Sequence, residues 1–352
     1  MKINRQDVYW YDLPQEYIAQ EPAVPRDESK LLIYNTKTNE IKTDYFYAIG
    51  TYLPPSTAFT LNDSKVVPAR VTLHKESGGK IVVLFLINEW LPHQTGPIPC
   101  FFDRKAQIGD KLFFNDKSYV TVKDQQAELF HVTWDKSASG LLLRLAQYGT
   151  MPIPPYIKHS PLTRDDLLIK YQTIFAKNEG SSAAPTASLH YTERVFESLR
   201  DKHMEELRVT LHVGLGTFAP LTEQNIRDKK LHNEWYEISE RTAVRLKEIK
   251  KNHIPLLAVG TTVVRTLESY AHQGALGQPY SGDTDLFIMP GYKFQMVDML
   301  QTNFHLPSSS LMMLVDAFLA HKKAPKRILE LYEYAKKNKF RFFSFGDTML
   351  IV

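Results

Sequence analysis

Apolar and polar positions fall into two textures along the chain. Leu31, Leu32, Ile33 and Tyr34 form a short apolar run that predicts a strand, with its turn at residues 35–39. Residues 59–64 predict another strand, ending in an Asx-type turn at Asn62-Asp63. From residue 66 to residue 147 the texture changes. Runs rich in β-branched and aromatic residues recur at 66–73, 80–87, 111–114, 118–123, 129–134 and 141–145, and Gly78-Gly79, Asn115-Asp116 and Ser139-Gly140 separate several of them. Short strands at this spacing predict a β-sandwich or small barrel. Strand-and-helix patterning precedes and follows it, so the β-rich stretch reads as an insertion.

The second texture resumes after the proline-rich segment 152–157. Residues 207–213 alternate as a strand and end in Gly214-Leu215-Gly216-Thr217, and residues 231–238 predict another strand. Ser239 or Glu240 opens a helix reaching Asn252. Residues 254–259 are apolar without a break, as in a strand buried on both faces. Gly260-Thr261-Thr262 follows, then a helical pattern over 263–271. Within residues 283–320, an apolar run at 286–289 stops at Pro290-Gly291, a second run covers 292–300, and a polar-aromatic loop covers 302–307. Ser308 or Ser309 can cap the next helix, which carries Leu311, Met312, Leu314, Val315, Phe318 and Leu319. The unit reads as strand, turn, strand, loop, helix. Its loop aims Thr302, Asn303 and His305 at a helix N-terminus, where anions and polar ligands bind.

A length of 352 residues predicts two domains. The fold class is therefore α/β: a larger discontinuous mixed α/β catalytic domain from residues 1–65 and 148–352, with a small β-barrel domain inserted at 66–147. No apolar run approaches the roughly 20 residues of a membrane span, and the first residues carry no apolar signal region. The lone Cys100 excludes an internal disulfide and fits a reducing, cytoplasmic setting. A net charge of +4 permits a nucleic-acid partner. Near the end, Lys322, Lys323, Lys326, Arg327, Lys336, Lys337, Lys339 and Arg341 stand among Phe340, Phe342 and Phe343, so phosphates could meet the cations and bases the rings. Arg26 with Asp27, and Arg265 with Glu268, read as surface pairs. The 12 histidines form no metal motif, and there is no Walker loop or G-x-S-x-G elbow. The Gly214–Gly216 pair lacks the third glycine of a dinucleotide fingerprint.

Taken together, Tyr11-Asp12-Leu13-Pro14 and the blocks 19–27, 62–70, 152–157, 180–192, 211–218, 232–236, 258–269, 284–318 and 341–351 resemble the S-adenosylmethionine:tRNA ribosyltransferase-isomerase family of the queuosine pathway. The resemblance implies an α/β domain with an inserted β-barrel. It implies transfer of the ribosyl part of S-adenosylmethionine, a co-substrate and not a resident cofactor, to 7-aminomethyl-7-deazaguanine at the tRNA wobble position. Epoxyqueuosine-tRNA forms, and adenine and methionine leave. The chain would work as a monomer, away from membranes and without a metal. His190, His212 and His305 are then the acid–base candidates, with Asp285 as an alternative base. Gly214, Gly216, Gly260, Thr261 and Thr262 would line the S-adenosylmethionine pocket, and Arg70, Arg265 and Lys339 would hold RNA phosphates or the methionine carboxylate.

The chain departs from the family pattern at several positions. Ser182, Ser188 and Tyr191 replace Val, Gly and Phe, Ser308 stands for a lysine, and Val82 for a glutamate. Residues 90–103 replace a basic W-x-x-L-x-R-P block. The altered insertion motivates one alternative, a relative acting on another nucleobase or amine; the barrel and the basic tail leave a second, a non-catalytic RNA-binding protein.

Overall fold

The structure, a computed structural model, describes residues 7–214 and 221–352. Its frame is a nine-stranded sheet. In chain order the strands are β1 (Lys30–Asn35), β2 (Glu40–Tyr45), β3 (Ala58–Asn62), β4 (Ser64–Val66), β5 (Arg70–Lys75), β6 (Lys80–Phe85), β7 (Ile98–Phe102), β8 (Lys111–Phe113), β9 (Tyr119–Gln126), β10 (Leu129–Thr133), β11 (Asn178–Ser181), β12 (Glu205–Leu211), β13 (Lys230–Ile238), β14 (Leu256–Val259), β15 (Tyr280–Leu286), β16 (Met299–Asn303) and β17 (Thr348–Ile351). The large sheet runs β15-β13-β12-β3-β14-β16-β17-β1-β2. Strands β12, β3, β14 and β16 are mutually parallel, and β17 turns antiparallel to β16.

Alternation explains the layering. Leu32 and Tyr34 point to one face with Ala258, Leu300 and Met349, under helices of the C-terminal half. Leu31 and Ile33 point to the other with Phe59, Leu257 and Leu350, under Phe46, Val195, Phe196 and Leu199. Strands β3, β14 and β16 are buried along their whole length. That is why residues 256–259 read as an unbroken apolar run.

Strands β5 to β10 close a barrel in the order β10-β7-β6-β5-β8-β9. Its core is built from inward residues such as Val71, Leu73, Ile81, Val83, Phe85, Val120 and Val122. Residues 141–145, expected as a strand, belong to the helix Ala138–Tyr148. The Ser137 hydroxyl caps it by accepting the Gly140 N–H, and Leu141 and Leu145, one helical turn apart, both enter the barrel core. The barrel hangs from a neck in which Arg70 and Thr150 exchange backbone hydrogen bonds of 3.3 and 2.7 Å. A Cβ at Gly149 would lie 1.8 Å from the Pro68 carbonyl oxygen, so only glycine fits this crossing.

The unit expected over 283–320 is also rearranged. Strands β15 and β16 do not pair; four strands separate them in the sheet. Residues 292–298 run as an irregular, bent segment instead of a strand, because the Glu268 carboxylate accepts the N–H groups of Gln295, Met296 and Val297 that a ladder would have used. Thr302 and Asn303 belong to β16, and Ser309 is the residue that caps the helix Ser310–His321.

Candidate active site

A cleft opens at the carboxyl ends of β12, β14 and β16, next to the reversal of direction at β17. Open α/β sheets bind ligands at such a place. Tyr156, residues 184–187, Val213, residues 260–262, residues 302–306, Ser309, Leu311, Phe343 and Ser344 line it, and it is partly open to solvent.

Each wall has a local cause. Gly260 takes φ +89° at the start of the helix Thr261–His272, and its N–H donates to the Gln301 carbonyl at 2.8 Å. A Cβ there would come within 3.3 Å of the Ala187 Cβ, so glycine lets the small-residue loop approach. Gln301 ties that loop down by donating to the Ala187 carbonyl at 3.0 Å. The Thr262 Oγ1 is buried at the lining without a hydrogen-bond partner, whereas the Asn303 side chain faces His190. Phe343, at φ +69°, is a bulky residue in left-handed conformation at the cleft wall, held by donating its N–H to the Phe304 carbonyl at 3.2 Å.

The three histidines are placed differently. His305 lines the cleft. Its Nε2 lies 2.9 Å from the Thr302 Oγ1, its N–H donates to the Tyr332 hydroxyl at 2.8 Å, and its carbonyl accepts from the Tyr11 hydroxyl. Burial pulls its pKa well below the ordinary imidazole value, so it is neutral near pH 7. His190 sits behind the 184–187 wall with Nδ1 at 2.7 Å from the Ser29 Oγ. Burial, with the charges of Arg341 and Arg26, lowers its pKa to about 3. His212 stacks on Trp235 with ring centres 5.1 Å apart, and its Nδ1 lies 3.2 Å from the Ser64 Oγ. Burial lowers it to about 4. Gly180, at φ +147°, is required here, because a Cβ would stand 2.6 Å from the His212 ring.

Of the other candidates, Thr261 and Thr262 line the cleft with Gly260. Gly214 adjoins the lining residue Val213, whereas Gly216 lies outside the described residues. The Gly214 N–H donates to Glu234 at 2.8 Å. Glu234 is ion-paired in turn with Arg265, which also donates to the carbonyls of Leu286 and Thr284. Arg265 is thus a buried support of the loop after β12 and not a surface partner of Glu268. Asp285 lies outside the cleft, paired with Lys230 at 2.6 Å. Arg70 is exposed at the barrel neck, and Lys339 is exposed after the last helix. Asp27, expected at the surface with Arg26, is buried and pairs with Arg194 at 2.9 Å, while Arg26 donates to the carbonyls of Gln172 and Ile169.

Tyr156, Phe343 and Ser344 were not singled out from the sequence as lining residues. The rigid proline segment around Tyr156 was the available signal. Among the described residues no cluster of His, Cys, Asp or Glu could hold a metal ion, and no helix is long and apolar enough to cross a membrane.

A sheet with a ligand cleft at its strand ends and an inserted closed barrel defines an α/β enzyme with an appended β-barrel. The chain belongs to the queuosine biosynthesis protein family, whose description matches residues 6–351. It is 41% identical over 359 residues to an S-adenosylmethionine:tRNA ribosyltransferase-isomerase of Caldanaerobacter subterraneus subsp. tengcongensis, covering 98% of each chain. The protein of the same name from Coxiella burnetii is 40% identical, with 97% of this chain and 96% of that one covered. The crystal structure of S-adenosylmethionine tRNA ribosyltransferase from Thermotoga maritima matches with a TM-score of 0.55 at 31% identity, covering 98% of this chain and 99% of that one.

Proposed function

We propose that this chain is an S-adenosylmethionine:tRNA ribosyltransferase-isomerase, moving the ribosyl group of S-adenosylmethionine onto 7-aminomethyl-7-deazaguanine in tRNA and releasing adenine and methionine. The observation that carries the reading is the shared cleft: residues 184–187, 260–262 and 302–306, far apart in sequence, wall one space. The family and the 40–41% identical relatives of the same name support the reaction class.

A sulfonium acidifies the adjoining ribose C5′ hydrogens. Removal of one by a base helps adenine leave and opens the sugar to attack by the amine. His305 is the histidine that faces this space. A neutral imidazole beside a bound sulfonium avoids like-charge repulsion and keeps a lone pair for a proton. Thr302 would orient the ring. Thr262 offers an unpaired hydroxyl toward polar groups of the nucleoside, and Asn303 links the cleft lining to His190. His190 and His212 act through packing, as supports behind the wall. Residues 1–65 and 148–352 would form the catalytic domain and 66–147 the inserted barrel, in a cytoplasmic monomer.

The test is incubation with S-adenosylmethionine and tRNA bearing the aminomethyl base, read by mass spectrometry. Adenine, methionine and epoxyqueuosine-tRNA are expected; S-adenosylhomocysteine instead would overturn the reading. His305→Ala should lower adenine release by about 100-fold or more, and near-full turnover would remove His305 from the chemistry.

A further inference from the structure

The basic stretch at the C-terminal end does not offer its own aromatics to a ligand. Phe340, Phe342, Phe343 and Tyr332 are all buried in the core, while Lys337 and Lys339 stay exposed. The exposed aromatic on this side of the molecule comes from the other end of the chain. Trp10 is 62% exposed, although both its neighbours are buried. Tyr9 is pinned by a hydrogen bond to Asp316 at 2.9 Å, and its carbonyl accepts the Ser308 N–H at 3.0 Å. Tyr11 donates to the His305 carbonyl. Tyr9 ends the 3-10 turn Asp7–Tyr9, and with Tyr9 and Tyr11 both anchored inward the indole between them is left outward. The segment is fastened to the same 305–309 loop that walls the cleft.

Cations bracket it. Arg327 pairs with Asp316 beside Tyr9, with its guanidinium half-exposed; Lys336 ties the segment down by donating to the Asp12 carbonyl at 3.1 Å while paired with Glu333 at 2.6 Å, and Lys337 beside it is exposed. A fixed, outward aromatic face flanked by cations at the rim of a nucleoside cleft has the chemistry of a base-stacking platform. We propose that Trp10 stacks on a nucleotide of the RNA substrate next to the base held in the cleft, while the half-exposed Arg327 and the exposed Lys337 face the phosphates. This rests on the tRNA-modifying reading above and deepens it.

The experiment compares the full-length wild type with Trp10→Ala and Trp10→Phe, using tRNA bearing the aminomethyl base. Binding is followed by tryptophan fluorescence and filter retention, and turnover by adenine release. Wild-type fluorescence should be quenched on binding, and Trp10→Ala should lose most of that quench. Trp10→Ala should raise the KM for tRNA at least about fivefold, with the KM for S-adenosylmethionine unchanged. Trp10→Phe, which keeps a ring, should recover most of the RNA affinity. If wild type turns over and Trp10→Ala matches it in KM for tRNA, the stacking role is wrong and the reaction stands. If wild type neither binds tRNA nor releases adenine, the functional reading and this inference both fall.

Discussion

Replacing Glu234 by leucine should be among the most damaging single changes near the cleft. The carboxylate has two tasks: one oxygen accepts the Gly214 N–H at 2.8 Å and the other pairs with Arg265. Both side chains are nearly inaccessible, at 4% and 7% exposure. Leucine would leave a guanidinium buried without its counter-charge, a loss of about 3–5 kcal/mol. The stranded Gly214 N–H adds about 1–3 kcal/mol. The expected loss is therefore at least about 3 kcal/mol, read as a lower urea midpoint at unchanged m-value. Adding Arg265→Met removes the uncompensated charge, so the double variant should be more stable than the sum of the single losses predicts. Its recovery stays partial, because the Leu286 and Thr284 carbonyls lose their donor. The KM for S-adenosylmethionine should also rise in Glu234→Leu, since Gly214 adjoins the cleft wall. A loss below about 1 kcal/mol would refute the claim that this pair is buried and strongly coupled.

Gly180→Ala should cost about 2–5 kcal/mol in denaturant unfolding, from positive-φ strain together with a contact that pushes His212 off Trp235; a change within about 0.5 kcal/mol would sink it. Acid should destabilise the fold through His190 and His212. Their folded pKa values, about 3 and about 4, lie below the unfolded 6.5, so the unfolded chain binds more protons as pH falls. The stability is complete above about pH 6.5 and declines toward the folded values, by about 2 kcal/mol per histidine at pH 5. His212→Gln should flatten the stability-against-pH curve between pH 4 and 6.5 by one proton; an unchanged slope would mean that His212 is not held neutral.

What the sequence made legible follows from periodicity. The unbroken apolar run before Gly260 is the fully buried β14, and the β-rich stretch is a barrel. The failures come from long-range partners that local spacing cannot show. Arg265 and Glu268 share a helical face, yet one finds Glu234 and the other the N–H groups of residues 295–297. That second choice removed the strand expected over 292–298. Leu141 and Leu145 fit a short strand by composition, but their four-residue spacing and the Ser137 cap favour helix. At the cleft, Gly260, Thr261, Thr262 and His305 were visible because turns after apolar runs mark strand ends. Phe343 and Ser344 were not, since nothing local to them announces that the last strand lies beside β16.

The neck at Arg70 and Thr150 makes the two ends of the insertion immediate neighbours. The core therefore spends little chain entropy on carrying the barrel, because the gap it must bridge is closed by two hydrogen bonds whatever length of chain lies beyond. Residues far out on the barrel, such as the Gly78-Gly79 turn, can change in size or charge while Gly149 and the strand ends around the cleft keep their places; the stretch 90–103 is not among them, because His93 lies 3.5 Å from Asp283 of β15.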